Sequence, residues 1–128
     1  MRDSDAARRL LIVARRDLEV LEVLGDRCAD EAFGFHAQQA VEKALKAWLA
    51  GLGVAFPKLH HLHVFVNLLE QQGCEVARFR DLIRLNDYAV QFRYSVYDAI
   101  DPLDRSAIHA AVKALVDHVA EIADGELK

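Results

Sequence analysis

Four side chains in one segment stand at spacings that could hold an anion. His36, Gln39, Lys43 and Lys46 follow one another at offsets of three, four and three, which on an α-helix gathers them on one side, opposite an apolar face. An imidazole and two ammonium groups there would face a phosphate across a groove. The same residues also fit a solvated face on which Glu42 and Lys46 form an ordinary (i, i+4) ion pair. A second group, Tyr88, Arg93 and Tyr94, lies in the run Asn86-Asp87-Tyr88-Ala89-Val90-Gln91-Phe92-Arg93-Tyr94. A guanidinium offers a planar fork to phosphate, and a tyrosine offers a stacking face and a hydroxyl, so this group could bind a nucleotide. The alternative is a structural Arg–Asp pair, with Asp87 and Asp98 close by, tying a loop to the rest of the molecule.

Other polar clusters have spacings that do not suit a metal. His60, His61 and His63 can place at most two imidazoles on one helical face, and neither CxxC nor HExxH accompanies them. Hydrogen-bonding imidazoles at a helix start fit better, and no metal or other cofactor is expected. Asp98, Asp101 and Asp104 lack the spacing and the glycine of a calcium loop. Charge is unevenly spread. Arg2, Arg8, Arg9, Arg15 and Arg16 outnumber Asp3 and Asp5 near the start, Arg78, Arg80, Arg84 and Arg93 follow, and the last segment is acidic through Asp117, Glu121, Asp124 and Glu126. A net charge of −4 opposes tight sequence-independent nucleic-acid binding, yet arginine patches could hold a phosphate or an RNA backbone. Opposite patches could equally pair across a homodimer.

The elements that must position these groups are helices, because apolar residues recur at helical spacing almost throughout. Ala7, Leu11, Ala14, Leu18 and Leu21 form the stripe of a first helix, widened by Leu10, Val13, Val20 and Leu24. Asp3 or Ser4 caps its start and Gly25 ends it. A second helix opens with Asp30 as its cap, buries Phe33, Ala37, Val41, Ala44, Leu45, Trp48 and Leu49, and closes at Gly51-Leu52-Gly53. A loop through Pro57 leads to a shorter third helix with Leu62, Phe65, Leu68 and Leu69, ending at Gly73. A fourth presents Val76, Phe79, Leu82, Ile83, Leu85, Ala89 and Phe92. The last is expected to start at Asp101, with Pro102 in the first helical position and Asp104 in the first turn. It buries Ile108, Ala111, Val112, Leu115, Val119 and Ile122. The expected fold is all-α: an antiparallel up-and-down four-helix bundle with one additional short helix.

Length and composition agree with that frame. A chain of 128 residues makes one domain, expected over residues 1–128, and buries enough surface to fold without a disulfide or metal. With 53% hydrophobic residues and only six glycines and two prolines, it is neither disordered nor a turn-rich β-sandwich. No apolar run approaches a membrane span. The start of the chain lacks a signal-peptide pattern, and Cys28 and Cys74 read as reduced thiols, so a cytoplasmic location is expected.

Three pieces together resemble the HEPN family. They are Phe35-His36-Ala37-Gln38-Gln39-Ala40-Val41-Glu42-Lys43-Ala44-Leu45-Lys46-Ala47-Trp48-Leu49, then Pro57…His61-Leu62, then Tyr88…Arg93-Tyr94. The resemblance implies a helical bundle that forms a homodimer, often paired with a minimal nucleotidyltransferase in a toxin–antitoxin-like setting. Many members are metal-independent ribonucleases in which an arginine is followed, after four to six residues, by a histidine. In this chain the corresponding positions after Arg93 hold Asp98, Ala99 and Ile100. The nearest approach is Arg105…His109, one residue short, although that spacing keeps both side chains on one helical face. Cleavage needs a group that titrates near neutrality, which histidine supplies and aspartate ordinarily does not. The sequence therefore points to an accessory module that binds a nucleotide or a nucleotidyltransferase partner. Arg93, Tyr94, Tyr88, His36, Lys43 and Lys46 are its candidate ligand-binding residues. The alternatives are an RNase using Arg93 with Asp98 or Arg105 with His109, and a purely structural oligomerisation protein.

Overall fold

The computed structural model describes residues 3–91 and 103–125, all of whose regular elements are helical. In chain order they are α1 (Ser4–Leu24), α2 (Asp30–Leu52), α3 (Leu62–Gln71), a 3₁₀ helix (Ala77–Leu85), α4 (Asn86–Gln91) and α5 (Arg105–Ala123). The fold is thus an all-α bundle with an extra short helix. Among the described residues no helix is long and apolar enough to cross a membrane.

The helix starts show which carboxylates cap and which serve elsewhere. Asp3 caps α1 by accepting from the Ala6 N–H at 2.9 Å. The Ala7, Leu11, Ala14, Leu18 and Leu21 stripe is buried as its spacing predicts. Asp30 is not the cap of α2 but its first residue, with Ala29 in the cap position. The Asp30 carboxylate instead accepts from Leu103 N–H and from the Arg105 guanidinium, a charged donor worth more to it than a helix amide. Asp104, not Asp101, caps α5 by accepting from the Ala107 N–H at 3.1 Å. That helix begins at Arg105, and Asp101 and Pro102 lie outside the described residues.

The expected fourth helix is two elements. Val76, Phe79, Leu82, Leu85 and Tyr88 are buried at intervals of three, the repeat of a 3₁₀ helix, so the chain up to Leu85 winds at three residues per turn. Nine residues is long for such a helix. It is held because its apolar row lies against α2 and α5.

Polar contacts at the helix ends give the directions. Asp3 N–H donates to Ala50 O at 2.9 Å, which sets the start of α1 beside the end of α2. Arg105 meets the loop after α1, so α5 is antiparallel to α1 and runs with α2. Helix α2 lies at the centre, in contact with every other element, and is buried on nearly every side. It ends at Gly53, whose φ of +74° a side chain would resist.

Candidate functional site

Being central, α2 carries two polar residues into the interior. Gln38 and Glu42 are fully buried, one turn apart on the face that also bears Val41 and Leu45. An ionised carboxylate there must be surrounded by donors. Gln38 Nε2 donates to Glu42 Oε1 at 3.1 Å, and Lys43 Nζ and Lys46 Nζ reach Oε2 at 3.1 and 3.2 Å. His60 Nδ1, from the loop before α3, lies 3.0 Å from Oε1. Burial alone pushes the Glu42 carboxyl upward. The bonds from Gln38, His60 and Lys43 and the charge of Lys46 outweigh it and hold the group below its ordinary value. Glu42 is therefore ionised and can only accept, so His60 donates through Nδ1–H, and its Nε2 has no hydrogen-bond partner among the described residues.

The cluster is closed beneath and open above. The Glu42 side chain is wholly covered, while Lys46 is 12%, Lys43 23% and His60 72% exposed. Lys46 also sits 5.3 Å from the centre of the Phe65 ring, which fixes its stem against α3. Gln39 Nε2 donates to Gln38 Oε1 at 2.6 Å and orients the amide that faces Glu42. Each ammonium spends one proton on the carboxylate and keeps two. Two lysines against one glutamate leave a net positive charge, joined by an exposed imidazole. Such a surface can receive a phosphate or another anion.

The other candidates have different surroundings. His36 does not join the lysines. Its Nδ1 meets Asp17 of α1 at 3.0 Å, and at 1.5 Å per residue it stands about 10 Å along the axis from Lys43. Tyr88 is only 5% exposed, with its ring against Gly34, so it presents no stacking face to a ligand. Burial, then the charges of Asp30, Glu31 and Asp87, raise its hydroxyl pKa against the pull of Arg84. Arg93, Tyr94 and Asp98 lie outside the described residues.

Arg105 and His109 do come together, at the junction of α1, α2 and α5. The Arg105 guanidinium makes five hydrogen bonds, to the carbonyls of Gly25, Arg27 and Cys28 and twice to Asp30 Oδ1. It also lies over the Phe33 ring at 5.1 Å. Its fork is spent on the chain itself. His109 Nε2 sits 3.3 Å from Glu22 Oε1, on the rim of an open depression of about 290 Å³ that Ser106 and Asp26 also line. A histidine–carboxylate pair of this kind can exchange a proton, but the arginine beside it has no donor to spare for a phosphate.

Two features escaped the reading of the sequence. One is the role of Glu42 as the centre of the polar cluster, signalled only by two polar residues, Gln38 and Glu42, interrupting an apolar face. The other is His118, whose ring meets Trp48 at 5.0 Å and Phe79 at 5.5 Å. Its Nδ1 accepts from Arg78 Nη2–H at 2.9 Å. Asn86 has a structural part, its side-chain oxygen accepting from Leu62 N–H at 2.9 Å where α3 has no cap of its own. His61 and His63 touch ring to ring, and among the described residues no group of three or more potential ligands is placed to hold a metal ion.

Comparison with protein-family models gives one match, to the model described as HEPN domain, over residues 7–122. No curated protein matches the chain, and no solved structure matches it.

Proposed function

The chain belongs to the HEPN family, and from that membership we propose that it is a cytoplasmic, dimeric accessory protein that holds a nucleotide. We propose further that it works beside a minimal nucleotidyltransferase, in a toxin–antitoxin-like setting. The observation that carries the nucleotide reading is the Lys43–Lys46–His60 cluster. It is cationic, partly exposed and held in place by a buried carboxylate. A nucleotide brings the complementary chemistry, a compact polyanion whose oxygens accept from ammonium and imidazole donors. In this reading His36, paired with Asp17, and Tyr88, buried against Gly34, play no direct part.

A second reading, metal-independent RNA cleavage, draws on one observation. His109 is paired with Glu22 at an open depression, where it could exchange a proton. The cost to that reading is Arg105, whose donors are already engaged.

Calorimetric titration with nucleoside mono-, di- and triphosphates tests the first reading. Binding is expected to weaken by at least about tenfold, ~1.4 kcal/mol, in Lys43→Gln/Lys46→Gln. It is expected to be unchanged in His36→Ala. No heat with any nucleotide, or equal binding by the double variant, refutes it. Labelled RNA cut by the wild type but not by His109→Ala would favour the second.

A further inference from the structure

The outer face of α1 carries an arrangement that the bundle itself does not use. Ile12 is 51% exposed, and the residues three and four positions to either side of it are Arg8, Arg9, Arg15 and Arg16, all exposed. On a helix these are the four side chains that surround position 12. Among the described residues no carboxylate lies within ion-pair distance of any of them. Val13 and Val23 extend the exposed apolar surface. An aliphatic centre ringed by guanidinium groups, with arginine used throughout and lysine not at all, is the make-up of a protein–protein contact. A nucleic-acid backbone would neutralise the ring and leave Ile12 uncovered.

The complementary surface lies on α5 of the same chain. Asp117, Glu121 and Asp124 are exposed and follow at offsets of four and three, on one side of that helix. Asp117 pairs with Lys113 on its own helix. Glu121 and Asp124 have no ion pair among the described residues. The contact of Glu22 with His109 sets the register of the antiparallel pair α1 and α5. Counting back along α1 and forward along α5 from it, Arg8 to Arg16 stand level with residues 115 to 123. The basic band and the acidic band therefore lie at one height, on adjacent helices, without pairing among the described residues.

A two-fold axis parallel to the helices brings α1 of one copy against α5 of another, twice, with that height preserved. We infer that the α1–α5 face is the contact between two copies of this chain. The arginines around Ile12 in each protomer meet Asp117, Glu121 and Asp124 in its partner. The inference rests on the reading of the protein as a homodimer and names the face that reading leaves open.

Light scattering on the full chain at tens of micromolar, with circular dichroism as the control for folding, tests it. The wild type is expected at the mass of two chains. Arg8→Glu/Arg9→Glu/Arg15→Glu/Arg16→Glu, Asp117→Arg/Glu121→Arg/Asp124→Arg and Ile12→Asp are each expected at the mass of one, with unchanged helicity. Mixing the two charge-reversed variants restores both cross-contacts and is expected to return the two-chain mass. A monomeric wild type overturns this inference and the homodimer reading together. Dimeric charge-reversed variants, or a mixture that stays monomeric, overturn the inference and leave the homodimer reading standing. A labelled oligoribonucleotide bound through the four arginines, with the mass unaffected by their reversal, would assign the ring to nucleic acid and overturn it as well.

Discussion

Replacing Gly34 by alanine sets two opposed effects against each other. In the interior of α2 the change gains about 1 kcal/mol of helix propensity. Against that, a Cβ on Gly34 would lie 2.5 Å from Tyr88 Cγ and 2.8 Å from Cε1. These atoms belong to the rigid ring rather than to the end of a flexible side chain, and ordinary carbon contacts need about 3.5–4.0 Å. The ring must move by roughly 1 Å, yet it is 5% exposed and closes the row Val76, Phe79, Leu82 and Leu85. Overpacking of this kind costs about 1–3 kcal/mol. Because the clash is with the body of the ring, we take the upper half of that range and expect a net loss of about 1–2 kcal/mol. In a domain of this size that lowers Tm by roughly 5 °C. Urea denaturation followed by circular dichroism measures it. In a Tyr88→Ala background the clash is absent, and the same Gly34→Ala change is expected to stabilise by about 1 kcal/mol. Greater stability of Gly34→Ala in the otherwise wild-type chain would refute the close approach of α2 to Tyr88.

Two further outcomes follow from the polar contacts. Arg105→Ala is expected to cost about 2–3 kcal/mol in urea denaturation, because three loop carbonyls and Asp30 lose a charged donor. Arg105→Lys is expected to recover less than half of it, since an ammonium cannot reproduce the planar fork; full recovery would show that charge alone matters there. His118 is held below its ordinary value of 6.5 by burial first and then by the Arg78 guanidinium, against the pull of Glu121. The folded state thus favours the neutral ring, and the unfolded chain binds the proton more readily. Stability from this group is present above pH 6.5 and is lost as pH falls from there through the folded value. Trp48 is the only tryptophan and lies against this ring, so its fluorescence in the native protein reports the titration. A midpoint below 6.5, absent in His118→Gln, is expected; one at or above 6.5 refutes the assignment.

What the sequence made legible was whatever rests on local periodicity. The α1 stripe needs only the next helix over, so its five buried positions follow from spacing alone. The segment from Val76 to Tyr88 was harder, because Val76, Phe79, Leu82 and Leu85 satisfy a period of three while Ile83 and Ala89 mimic one of 3.6. Only the surfaces of α2 and α5 decide between them. At the start of α5, Asp101-Pro102 is the stronger local signal, yet the cap is Asp104, from which Arg105 can reach the loop after α1. Asp30 shows the same competition, drawn from a capping role by a guanidinium 75 positions away in the chain. Each departure has a partner distant in sequence, which no window of neighbouring residues contains.

Glu42 shows why the candidate site was only half legible. The pairing with Lys46 follows from their separation of four, but a pair on a solvated face would leave both groups in water. Here the carboxylate has no exposed surface, a consequence of α2 being covered from several sides at once. Burying that charge is costly, and an apolar residue of similar volume in such a place is often neutral or stabilising. Stability therefore gives little reason for a glutamate at this position. Its effect is directional: one oxygen draws in both ammonium groups, the other holds the imidazole of His60. A loop and a helix separated by 18 positions are thereby brought to one cationic surface. The buried anion gathers two ammonium groups and an imidazole onto one surface, where they would otherwise be three independent side chains.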